Sequence, residues 1–166
     1  MAKKKSDAPQ HTSVVNETSL AFFEKYINNP SPTGFEWKGQ ELWLEYLKPY
    51  IDTHYVDNYG TAVGIINPKA DYKVVIEAHA DEISWFVNYI TNDGLIYVIR
   101  NGGSDHQIAP SKRVNIHTDN GVVKAVFGWP AIHTRLGGDK EEAPTLKNIF
   151  LDCGCTSKEE VEKLGI

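Results

Sequence analysis

The sequence predicts an α/β fold interrupted by a small β-rich domain. Three observations carry this. Two helical segments precede Pro49. Lys73 to His79, KVVIEAH, is a mostly apolar run of the kind a sheet covers on both faces. After Asp81 helical periodicity vanishes for about 65 residues, replaced by paired short strands around turn dipeptides.

Residues 1–12, MAKKKSDAPQHT, are polar, basic at Lys3 to Lys5 and without apolar period, the composition of a disordered tail. From about Val14 to Asn28 the residues Leu20, Phe23 and Ile27 recur at helical spacing. Asn29-Pro30-Ser31-Pro32 ends that helix. Thr33-Gly34-Phe35-Glu36 has the T-x-x-E form of a capping box and opens a second helix, about Glu36 to Lys48, with Trp37, Leu44 and Leu47 on one face. Short strands are expected at His54 to Asp57 and Thr61 to Ile66, around Asn58-Tyr59-Gly60.

Within the β-rich block, Ile83 to Thr91 and Leu95 to Arg100 flank Asn92-Asp93-Gly94. Arg113 to Thr118 and Val122 to Trp129 flank Asp119-Asn120-Gly121. Both are hairpin signatures. A further strand is expected at Asn148 to Asp152. Ser157-Lys158-Glu159-Glu160 then caps a helix that stops about two turns on, so the sequence reads as interrupted. The predicted organisation is a tail at 1–12, a partial α/β domain at 13–83 and 147–166, and an inserted β-domain at 84–146.

Composition narrows function. Of the 166 residues, 41% are hydrophobic and 23% charged, values of a globular chain. The net charge of -5 argues against a nucleic-acid binder, which needs a basic surplus for phosphate contacts. No apolar run approaches the ~18 residues of a membrane span, and no secretory h-region follows the first lysines. Cys153 and Cys155 are too close in sequence to staple a fold, as expected of a protein in the reducing cytoplasm.

The most informative tetrapeptide is His79-Ala80-Asp81-Glu82, at the end of the expected buried strand. Residues two apart on a strand share a face, so His79 and Asp81 point the same way. Such an imidazole can ligate a metal while the carboxylate accepts the other ring N–H and fixes its orientation. The C-terminal edge of a parallel sheet is where α/β proteins place their sites. His106 and His117 read as ordinary loop and strand histidines, Glu141-Glu142 as a solvated acidic turn, and the two cysteines as buried thiols. Trp85, Phe86, Tyr89 and Tyr97 read as core or interface packing. No G-x-S-x-G or Gly-rich phosphate loop is present.

Read in order, SPTGFE, EAHADE, NGGSDHQIAPSKRVNIHTDNGVVKAVFG, PAIHTR and IFLDCGCTSKEEVEKLGI resemble the first half of a tetrahedral, TET-type, dinuclear metallo-aminopeptidase. That family includes glutamyl aminopeptidases. The resemblance covers about Leu20 to Ile166. It implies a metallopeptidase-type α/β catalytic domain with an inserted, small, β-barrel-like dimerisation domain. It also implies a cytoplasmic hydrolase that removes N-terminal residues from peptides, assembled as dimers into dodecamers. His79 would ligate one of two divalent ions, zinc or cobalt, and Asp81 would orient it. His133, in the PAIHTR segment, would approach a neighbouring subunit's site. Ala80, Ser84 and the Cys153-Gly154-Cys155 pair depart from the family pattern without removing a ligand. The remaining ligands and the general base would lie beyond Ile166, so this chain alone is expected to be inactive and to need its missing C-terminal half. A reading of another class is a non-catalytic oligomerisation module built on the β-domain.

Overall fold

The structure, a computed structural model, describes residue 13, residues 15–135 and residues 143–166. The chain divides into two compact units, Met1–Asp81 and Glu82–Ile166. Helix and antiparallel sheet are both present, so the class is mixed α/β. None of the described helices is long and apolar enough to cross a membrane.

In the first unit, α1 (Glu17–Ile27) starts at Asn16. The Asn16 side chain accepts the Ser19 N–H at 3.0 Å, and Ser19 Oγ accepts the Asn16 N–H at 2.9 Å. This reciprocal cap satisfies two N-terminal donors and was not foreseen from the sequence. α1 meets α2 (Trp37–Leu47) through the stacked rings of Phe22 and Tyr46, 4.0 Å apart. The Leu20, Phe23 and Ile27 stripe remains more than half exposed. A 3-10 turn, Lys48–Tyr50, leads to an antiparallel hairpin of β1 (Thr53–Val56) and β2 (Ala62–Ile65). Gly64 of β2 leaves room for Leu47 and Ile51, whose side chains would crowd a Cβ at 3.2 and 3.3 Å.

Two expectations fail in this unit. The Thr33–Glu36 box does not cap α2: the helix begins after Glu36 with no side-chain cap, and Glu36 Oε1 instead accepts the Gly34 N–H at 2.7 Å. Lys73 to His79 is not a buried strand either. It lies outside every ladder, and Val74, Val75 and Ile76 are 74%, 82% and 95% exposed. A strand exists only with a partner, and among the described residues none lies alongside this run. Every described ladder is antiparallel, so no parallel sheet edge carries the His79 segment.

The second unit holds the core. Hairpin β3 (Ser84–Ile90) and β4 (Ile96–Asn101) and hairpin β5 (Arg113–Thr118) and β6 (Gly121–Gly128) form where the turn dipeptides predict them. Gly94, at φ 83°, supplies the left-handed residue of the first turn. A short helix, α3 (Ile132–Arg135), follows β6. β7 (Phe150–Asp152) then joins the hairpins into one sheet of order β3-β4-β7-β6-β5. Leu151 is the junction, opposite Ile96 on one side and Phe127 on the other. All three are buried, with Val98, Ala109, Ile116, Ala125, Ile149 and Val161. Val161 comes from α4 (Lys158–Lys163), which lays one apolar side chain on the sheet. Residues 147–166, expected beside the catalytic segment, thus pack within the unit of the two hairpins. The sheet ends at β3 and β5, so the described strands form an open sheet rather than a closed barrel.

Candidate metal-ligand site

The sequence candidates His79 and Asp81 do come together, in direct contact, and a third residue that sequence reading missed joins them at Asp81. Asp81 Oδ2 accepts the Thr33 hydroxyl at 2.7 Å. Asp81 Oδ1 and the Asp81 carbonyl oxygen each lie 3.0 Å from His79 Nδ1. A carbonyl oxygen only accepts, so Nδ1 carries the proton and donates to this pair. The neutral ring then has its lone pair on Nε2, the nitrogen a metal takes. The His79 side chain is 86% exposed, and that of Asp81 35%.

The electrostatics agree with the geometry. The Thr33 hydroxyl, first, and the His79 ring, second, hold the Asp81 carboxyl below its ordinary value. Thr33 therefore keeps Asp81 ionised and pointed, and Asp81 keeps the imidazole in one tautomer. The sequence carried no local sign of the Thr33 contact, because 48 residues separate the partners. The T-x-x-E pattern pointed Thr33 towards a helix end instead.

The candidate donor set is one imidazole and the carboxylate beside it. Among the described residues no group of three or more His, Cys, Asp or Glu side chains is placed to hold a metal ion. A structural or catalytic zinc site uses three or four protein ligands. The residues present thus fit a metal at one coordination position and do not hold it by themselves.

His133 is exposed on α3. In the same segment the Arg135 guanidinium lies 3.4 Å from the Trp129 ring centroid. His106 contacts Arg100, and His117 is an exposed residue of β5. Glu141 and Glu142 lie outside the described residues, as does the expected tail at 1–12. Cys153 and Cys155 are free and half-buried rather than fully buried. Trp85 meets Phe127 edge-on in the core at 5.3 Å, and Tyr89 stacks on Tyr97 at 4.8 Å.

Comparison with known proteins places the chain. Residues 60–166 match the M42 glutamyl aminopeptidase family, and the chain belongs to it. A lysyl aminopeptidase of Pyrococcus furiosus is 29% identical over 144 residues, which are 86% of this chain and 41% of that protein. The crystal structure of a TET aminopeptidase from a marine-sediment thaumarchaeon matches with a TM-score of 0.83 at 27% identity. That match covers 89% of this chain and 41% of the other. A TET peptidase of Pyrococcus horikoshii, which can assemble into a tetrahedron or a large octahedral shell, matches with a TM-score of 0.71 at 26% identity. Here the shares are 87% and 43%. The chain thus spans about two fifths of the length of the relatives it matches. The family expected from the sequence motifs is the family found.

Proposed function

We propose that this chain supplies the first part of the active site of a metal-dependent aminopeptidase that releases N-terminal residues from peptides in the cytoplasm. The observation that carries this is the Thr33–Asp81–His79 chain, which presents an exposed Nε2 lone pair in a fixed tautomer. Two divalent ions, zinc or cobalt, would there lower the pKa of a shared water and generate the nucleophile. Within this chain, Thr33 orients Asp81, Asp81 orients His79, and His79 offers one coordination position. The further ligands and the general base come from outside these residues, and the 166-residue polypeptide alone does not turn over substrate. The unit built on residues 84–146 is the oligomerisation domain, a reading supported by the assembly of the P. horikoshii relative. His133, exposed within it, is the residue offered to a neighbouring subunit.

Titration with cobalt, followed by nitrogen-15 spectra of the histidine side chains, tests the ligand assignment. The expected result is an Nδ1–H tautomer at His79 and paramagnetic broadening of His79 before the other histidines. An Nε2–H tautomer, or broadening that spares His79, would overturn it.

A further inference from the structure

The Cys153-Gly154-Cys155 segment has no part in the peptidase reading, yet its surroundings are those of a built thiol site. Two Cα atoms one residue apart are at most about 7 Å from each other. The chain does not run straight here. It bends at Gly154, whose φ is 85° and whose N–H donates to Asp152 Oδ1 at 2.7 Å. That bend shortens the span towards the Cα separation a disulfide bridges. Both cysteines pack against the same apolar cluster, so their side chains turn to one side of the chain.

The two thiols are not equivalent. Cys153 lines an open cavity of about 750 Å³ in the second unit, walled by β5, β6 and the end of β7. Its charged lining is Arg113, Lys124 and Asp152, two cations against one carboxylate. Asp152 is turned in part to the Gly154 N–H, and Lys124 Nζ donates to Asn115 Oδ1 at 2.7 Å. Cys155 does not line the cavity. Burial, then the neighbouring Cys153 thiol, pushes the Cys155 thiol up, which leaves it a slow attacker at neutral pH. The cavity-facing thiol is therefore the one a soluble reagent meets first.

We propose that Cys153 and Cys155 form a dithiol modification site that closes to an intrachain disulfide by exchange with a small anionic disulfide admitted between Arg113 and Lys124. The Cys153 thiolate attacks one sulfur of the reagent, forming a mixed disulfide and expelling one reagent thiolate. Cys155, losing its proton to solvent, attacks Cys153 Sγ and expels the second. The protein loses two protons and two electrons in all, and the reagent disulfide takes up both electrons and, from solvent, two protons to become two thiols.

The test uses the 166-residue chain with glutathione disulfide as the anionic probe and cystamine as the cationic one, quenched by alkylation and read by intact mass. The unsubstituted chain should lose two hydrogens and retain no adduct. Cys155→Ser should trap one glutathione, and Cys153→Ser should react at least about threefold more slowly. Arg113→Gln with Lys124→Gln should slow glutathione disulfide several-fold at low salt without slowing cystamine, as expected of local steering. Neither of these two lies in the core, so the double variant tests the cavity in a folded chain. Retention of two adducts, a disulfide-linked dimer, equal rates for the two cysteine variants, or equal effects on both probes would each overturn the proposal.

Discussion

Thr33 holds the candidate site together at the scale of single residues. Its hydroxyl is the largest influence lowering the Asp81 carboxyl. Thr33→Val should therefore move the Asp81 titration, followed by carboxyl NMR, up towards the ordinary carboxylate value. The sign follows from linkage. A carboxyl whose folded value is depressed contributes stability above its unfolded value and loses it as pH falls through the folded one. The unsubstituted chain should thus keep the His79–Asp81 contact at pH values where the valine variant has begun to lose it. An unchanged titration would mean that Thr33 is incidental. Gly128 is a second residue whose role the sequence hid. A Cβ there would stand 2.2 Å from the Phe150 ring, so the glycine lets an aromatic side chain of β7 lie across β6. Gly128→Ala should cost about 1–3 kcal/mol in denaturant unfolding, the usual range for overpacking. A variant as stable as the parent would show that Phe150 moves aside freely. The H-x-D pair itself was legible because its partners are two residues apart. Thr33 and Phe150 were not, since long-range contacts leave no mark on local sequence.

Elements were legible in proportion to how locally they are determined. Both hairpins of the β-rich block form about their Asn/Asp-containing turns, and α1 and α2 lie within two or three residues of their expected limits. The Ser157 cap forms as well: Ser157 Oγ accepts the Glu160 N–H at 3.2 Å. The reciprocal half does not, because Glu160 Oε2 accepts the N–H and the hydroxyl of Thr156 at 2.8 and 3.1 Å. The Thr156 N–H, first, keeps the Glu160 carboxyl below its ordinary value. α4 has only six residues, so its cap and its one buried side chain, Val161, decide whether it persists. Ser157→Ala should lower its local stability by about 1 kcal/mol, seen as faster amide exchange at Val161. Exchange equal to the parent's would show that packing alone holds the helix. Elements that depend on distant partners were read less well. KVVIEAH has the composition of a central strand, but composition supplies no neighbour, and the run stays outside the ladders. β7 was placed correctly as a strand, but nothing in FLD says that it pairs with both hairpins.

Across the whole molecule, burial is uneven. Every buried hydrophobic residue among those described lies in Glu82–Ile166. Among its described residues the first unit buries only Ser31 and Gly39, and it exposes Leu20, Phe23, Ile27, Trp37 and Val74 to Ile76. An apolar, unpaired run of backbone is a template for association. The isolated polypeptide should therefore elute in size-exclusion chromatography with light scattering as a multimer or an aggregate. A stable monomer at micromolar concentration would show that the exposed run is tolerated in water. The central proposal concerns catalysis: that His79, set by Asp81, would be one ligand of a two-metal site completed by residues other than these. Steady-state assay of the purified 166-residue polypeptide on an aminoacyl-anilide, with zinc or cobalt supplied, tests it most directly. The account predicts no release of the anilide above the metal-only rate. Sustained turnover that His79→Ala abolishes would contradict it, for the chain would then hold a complete site of its own.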